Sequence, residues 1–319
     1  MSHAQTSGTA AVTVSEKDRV AARKRRNLIE NLQSGQFLLP VLLIFVVVTV
    51  IPFFISIVYS FTDYSGYDFA TSQWVGLSNY KTVFTDPTIL EGLGFTLLYA
   101  IATTVMTTLI ALPLALALNR KFIGHNLARS VFFFLSVPSM ALLGLVWQYI
   151  VSSLESGALN TFLMKVFHVG PVPFLSDPNW AKACIIFIAV WASMGWHATL
   201  YLAYLQAIPA DLYEQAQVDG ANGWQQFVHI TLPQMTPAIS ISVFMLLTSS
   251  LKVYDLPFTL TGGGPGYATY TVTQSIITTG IGSSRYGLGS ALGVVFFICC
   301  IVLVALQQVI TNLIERKLA

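Results

Sequence analysis

The sequence predicts an all-α, polytopic membrane protein with six crossing helices, and three observations lead there. First, 55% of the 319 residues are hydrophobic and only 9% are charged, with mean hydropathy +0.68. A water-soluble domain carries about 25% charged residues. Second, stretches long enough to cross a hydrocarbon core of about 30 Å recur near 37–60, 94–118, 130–151, 182–205, 237–257 and 288–311. Third, the basic residues collect on alternate sides of these stretches, the bias that orients membrane proteins.

The chain opens with a polar, basic segment, 1–36, that includes EKDRVAARKRRNLIENLQ. The apolar run beginning at Phe37 is too long for the h-region of a signal peptide and has no small-residue cleavage site. It is expected to be a first crossing with a basic cytoplasmic flank, not a cleaved leader. Arg120, Lys121 and Arg129 lie between the second and third spans, and Arg316 and Lys317 follow the sixth. The intervening loops hold only Lys81, Lys165, Lys182 and Arg285. An even number of spans then puts both termini, and the loop 206–236, in the cytoplasm of a multi-pass inner-membrane protein.

Several classes of function are disfavoured. A net charge of +2, with no basic face interleaved with aromatics, gives no footing for nucleic acid. Cys184, Cys299 and Cys300 all lie in apolar runs, without the spacing of a metal site or a disulfide frame. The histidines are scattered, and no Ser-His-Asp arrangement appears, so an enzyme is not expected. GGGPG at 262–266 lacks the lysine of a phosphate-binding GxxxxGK[ST] loop, and no cofactor is expected on this chain.

The 206–236 loop is the most patterned polar stretch. Pro209 suits a first helical turn, and Asp211 and Glu214 place negative charge near a helix N-terminus. A short helix over 210–218 follows. Gly220 permits a sharp turn. Asn222 and Gln225 have the spacing of an N-cap and its reciprocal partner. In a second helix Trp224, Phe227 and Val228 share one face, and Pro233 and Pro237 are expected to stop that helix and start the fifth span. Such an acidic, aromatic element could dock another protein or lie on lipid. Interfacial helices usually carry Lys or Arg, and this one has neither, which favours docking.

Glu214-Gln215-Ala216, then Gly220, then Ile230-x-Leu232-Pro233 resembles the EAA loop of binding-protein-dependent ABC importer permeases. Gln215 departs from the alanine usual there. Ala207-Ile208-Pro209 and Val218-Asp219-Gly220-Ala221 narrow the resemblance to the carbohydrate-uptake group. So do Val75-Gly76-Leu77-Ser78-Asn79-Tyr80, Ser136-Val137-Pro138-Ser139 and Leu260-Thr261-Gly262-Gly263-Gly264-Pro265. The resemblance runs from Phe37 to the C-terminus. It is nearest the maltose and glycerol-3-phosphate type of permease, without the large inserted domain of the enterobacterial maltose subunit.

That resemblance implies a coupling helix seated on a cytoplasmic ATPase, with Glu214 facing a basic residue of the ATPase. Ala216, Asp219, Gly220, Ala221, Trp224, Phe227, Leu232 and Pro233 would complete the coupling element. It implies a second permease, two ATPase subunits that hold the ATP and Mg, and an extracellular solute-binding protein; the spans themselves would face membrane lipid. Positions matching the family's sugar cavity are Ser139, Ser193, Trp196 and Ser250. The polar and aromatic residues around them, Trp191, Ser249, Lys252 and Tyr254, are further candidates, because polar groups in mid-membrane are costly unless used. Helix packing could equally explain the serines. Lys252 and Asp255 could neutralise one another, or Lys252 could receive an anionic solute such as glycerol-3-phosphate. His197 is expected to be a hydrogen-bonded packing residue. An ATP-independent carrier would need an inverted repeat and a buried acidic coupling residue; no repeat is evident, and only Asp255 qualifies. A membrane scaffold is disfavoured by the polar spans.

Overall fold

The structure, a computed structural model, describes residues 38–318. The basic segment 1–36 and Phe37 therefore lie outside the described residues. Among those described, helices dominate, and strand pairing is limited to one isolated bridge, Thr62 with Trp74. The chain divides into two units after Ile55. The first contains most of helix α1 (Leu38–Tyr59), which carries a π-turn at Val46–Val50. The second holds everything described below.

Among the described residues, five helices are long and apolar enough to cross a membrane: α1, α3 (Pro87–Asn119), α7 (Pro178–Ala207), α9 (Gly223–Leu251) and α12 (Tyr286–Leu318). The spans begin earlier than the apolar runs do, for a local reason. Asp86-Pro87 and Asp177-Pro178 are the same device used twice. The aspartate accepts from two free backbone N–H groups, Thr88 and Ile89 in one case and Asn179 and Trp180 in the other. Proline occupies the first helical position, where no N–H is needed.

The expected single span over 130–151 is instead two helices, α4 (His125–Phe134) and α5 (Met140–Ile150). Pro138 cannot donate and drives the residue before it out of the helical region. Ser139 then restarts the helix, its Oγ accepting from Leu142 N at 3.3 Å. The expected end of the fifth span also shifts. Helix α9 stops at Leu251, the chain turns through 252–254, and α10 (Asp255–Thr261) follows with Pro257 in its first turn.

The second unit is held by side chains of several helices. Phe95 and Tyr99 of α3, Cys184, Ile185 and Ile188 of α7, and Leu256 and Leu260 of α10 form one core. Ala111 and Ala115, Ala198 and Tyr201, and Met235 and Ala238 form another between α3, α7 and α9. Small residues let these helices approach, as is common in membranes. At Gly195 of α7, a Cβ would fall 1.8 Å from the Phe132 carbonyl oxygen of α4. At the other end of the unit, Asn79 Nδ2 donates to the Ser60 and Thr62 carbonyls at 3.0 and 2.8 Å. It thereby satisfies carbonyls that the end of α1 leaves without helical partners. Tyr80 Oη lies 2.7 Å from Ser60 Oγ. The Gly-Leu-Ser-Asn-Tyr motif is thus a clasp on the exit of the first helix.

Candidate functional site: an exposed elbow and a polar cavity

Two places gather the residues that the sequence singles out. The first is an elbow between α7 and the body of α9. Helix α8 (Ala210–Val218) has the bounds the sequence predicts. It closes with Ala221 N donating to Ala216 O at 2.8 Å and Gly220 N donating to Gln217 O at 3.0 Å. This paired closure is the Schellman motif, which puts its pivotal residue in the left-handed region. Gly220 sits there with φ +80°. Two residues later the next helix is already capped. Asn222 Oδ1 accepts from Gln225 N at 3.0 Å, and Gln225 Oε1 accepts from Asn222 N at 2.8 Å.

Side chains brace the bend. Gln226 Nε2 donates to Ala221 O at 3.0 Å, and the Tyr213 and Thr231 hydroxyls meet at 2.9 Å across the two helices. Neither brace was singled out in the sequence, since each depends on the bend already being made. Pro233 and Pro237 do not separate the elbow from the fifth span, contrary to expectation. A π-turn over Phe227–Thr231 carries the helix through, with Leu232 N donating to Phe227 O. The wider turn accommodates a residue that has no N–H and whose ring crowds the preceding turn. The elbow is therefore continuous with a membrane-length helix.

What the elbow displays is an unpaired charge and an exposed tryptophan. Glu214 is exposed and makes no hydrogen bond or ion pair among the described residues. Trp224 is 72% exposed and packs on Phe227, ring centroids 5.6 Å apart. Ala216, Asp219, Gly220 and Ala221 line a shallow hollow of about 340 Å³, with His229 and Ile230 on its other side. Leu232 is half-buried at the base of the elbow.

The second place is a cavity of about 230 Å³ where α3, α7 and the α9–α10 turn meet. Ser193, Ser249, Ser250, Lys252 and Tyr254 all line it. The hydroxyls of Ser193 and Ser249 donate to their own helices, at Ala189 O and Met245 O. Ser250 Oγ makes no hydrogen bond among the described residues and is not sealed from the cavity. Lys252 and Asp255 both line the space without forming an ion pair among the described residues, and Tyr254 stacks on Phe258 with ring centroids 5.0 Å apart.

Three candidates are not brought to this cavity. Ser139 caps α5, Trp191 packs edge-on against Trp147 at 5.4 Å, and Trp196 is 37% exposed. In their place come residues the sequence did not suggest, Tyr99, Thr103 and Met140, together with His197. Thr103 Oγ1 is buried on α3, one turn from Tyr99. The one signal that could have found it is its seat as a polar residue on a long apolar helix, seven residues from Thr96.

Comparison with known proteins settles the family. The profile of the binding-protein-dependent transport system inner membrane component matches residues 108–318, well over half of the chain. This chain belongs to that family. The permease is 31% identical over 277 residues to the probable starch degradation products transport system permease protein AmyD of Thermoanaerobacterium thermosulfurigenes, covering 86% of this chain and 92% of that one. It is 30% identical over 284 residues to the multiple sugar-binding transport system permease protein MsmF of Streptococcus mutans, covering 88% and 96%. A crystal structure of a bacterial ABC transporter that imports the acidic polysaccharide alginate shares the fold, with TM-score 0.77, 22% identity and coverage of 91% and 98%. The permease is thus a multi-pass inner-membrane component of a binding-protein-dependent transport system.

Proposed function

We propose that the permease imports a sugar, a di- or oligosaccharide, by alternating access driven by partner ATPase subunits, and that 206–236 is the cytoplasmic handle those subunits grip. The observation that carries this reading is the elbow. Its backbone is fixed by a Schellman closure, a capping box and two side-chain braces, while Glu214 and Trp224 remain uncovered. A rigid, exposed element continuous with a spanning helix transmits displacement, whereas a slack loop would absorb it. A basic residue on the ATPase would pair with Glu214, and an apolar cleft would take Trp224 and Phe227. ATP and Mg would stay on the ATPase pair, which closes on nucleotide and draws this elbow toward its counterpart on a second permease. The binding protein would deliver solute from the other side; with the elbow cytoplasmic and α4 and α5 together making one further crossing, both termini would lie in the cytoplasm.

The sugar assignment draws on the names of the relatives and on the cavity. Ser193, Ser250 and Tyr254 bring hydroxyls and an aromatic ring to the cavity, the groups that recognise sugar hydroxyls and faces. An unpaired Lys252 at the same cavity favours a second reading, an anionic solute such as glycerol-3-phosphate. The test is uptake by the complete complex in proteoliposomes. Sugar uptake that requires ATP and the binding protein supports the proposal; uptake without any ATPase subunit overturns it. Competition by glycerol-3-phosphate but not by maltose or trehalose would select the second reading.

A further inference from the structure

We propose that His197 is a fixed hydrogen-bond donor to the transported sugar, its Nε2–H held toward the cavity by a relay through Tyr201 and Ser242. This rests on the sugar-cavity reading above. The Tyr201 hydroxyl donates to Ser242 Oγ at 2.8 Å, and Ser242 Oγ lies 2.7 Å from His197 Nδ1. A serine hydroxyl has one proton to give. Ser242 Oγ receives from Tyr201, and its remaining partner is Nδ1, so its proton goes to that nitrogen. Nδ1 is then the acceptor of the ring, and the ring proton is on Nε2, since the hydrogen bond at one nitrogen sets the tautomer of the other.

The surroundings fix where Nε2 faces. His197 is only 6% exposed, and Ser242 is fully buried, so the relay is closed to solvent. His197 lines the cavity and Ser242 does not. Nε2 makes no hydrogen bond among the described residues, yet it is not among the buried atoms left without a partner. It therefore meets the open space of the cavity. Trp196 stands edge-on to the imidazole at 4.7 Å and limits its rotation. A donor locked in this way selects for an acceptor oxygen, a sugar hydroxyl or ring oxygen, at one position. A solute without that oxygen would leave the N–H unpaired, and a site built around a hydrogen bond discriminates strongly against such analogues.

Two measurements on the assembled complex test this. In nanodiscs with ¹⁵N,¹³C-labelled histidine, His197→Gln identifies the His197 resonance among the five histidines. The wild-type ring should show the Nε2–H tautomer, and Ser242→Ala should shift it toward a mixture. A wild-type Nδ1–H tautomer overturns the relay. The second measurement is uptake of radiolabelled maltose, trehalose and arabinotriose. His197→Ala should raise KM about tenfold with little change in the maximal rate, and His197→Gln, which can still present an N–H, should stay within about threefold of wild type. Ser250→Ala separates the two readings. If it raises KM while His197→Ala does not, the donor role fails and the sugar cavity stands. If neither variant changes KM, or the wild-type complex takes up none of the three sugars, the sugar cavity fails as well.

Discussion

The elbow and the cavity are built by opposite means. The elbow is local. Within about twenty residues it contains its own start, glycine turn, capping box and braces, and it leaves its functional groups uncovered. The cavity is assembled from helices far apart in sequence, at a place where α9 breaks and α10 begins. Irregular backbone is tolerated at membrane depth only where protein or a water-filled space satisfies it, and the 252–254 turn is such a place. On the proposed reading, the region that would convey force is rigid and specified by neighbours in sequence, while the region that would convey solute is specified by tertiary approach.

The comparison is broken most severely at Gly220. Proline there has no N–H for the bond to Gln217 and cannot adopt φ +80°. Gly220→Pro should reduce ATP-driven uptake more than 100-fold in proteoliposomes while the permease still co-purifies with its partners; retained uptake would make the elbow a mere connector. Next comes Gly195→Leu, which places a side chain where only 1.8 Å separates a Cβ from the Phe132 carbonyl oxygen. Its effect should be on assembly rather than coupling, with a loss of several kcal/mol in line with overpacked cores, read as a fall in Tm of the detergent-solubilised complex.

Smaller effects sharpen the contrast. Asn222→Ala removes one half of the capping box, worth about 1 kcal/mol. It should lower the ATPase stimulation produced by loaded binding protein severalfold without altering KM for solute. Tyr254→Ala should do the reverse, raising KM about tenfold and leaving nucleotide-dependent coupling in place. Steady-state uptake and phosphate release, measured on the same proteoliposomes, separate the two patterns. A variant of either region that changed both parameters equally would erase the division drawn between them.

Much of this was legible in the sequence, and the limits have physical causes. The bounds of α8, the turn at Gly220 and the Asn222–Gln225 box followed from rules acting over four or five residues. The π-turn before Pro233 did not, because proline usually ends a helix and only a wider preceding turn lets this one continue. The break at Pro138 was hidden by uniform hydropathy on both sides of it. At the cavity, Ser193, Ser250 and Tyr254 were found as polar or aromatic residues in an apolar run. Thr103 and Tyr99 were missed because their importance depends on how α3 packs against α7, which hydropathy does not encode. Trp191 and Trp196 had the right chemistry, but Trp191 packs on Trp147 and Trp196 on His197, and neither lines the cavity itself.

One experiment addresses the central claim directly. A single cysteine at Val218, 89% exposed at the end of α8, can be paired with cysteines placed around the apolar cleft of the ATPase partner, and disulfide formation followed through the nucleotide cycle. A permanent mechanical joint predicts cross-linking at one cleft position in both the nucleotide-free and ATP-bound states. Cross-linking to no position on the ATPase, or to different positions in the two states, would contradict it.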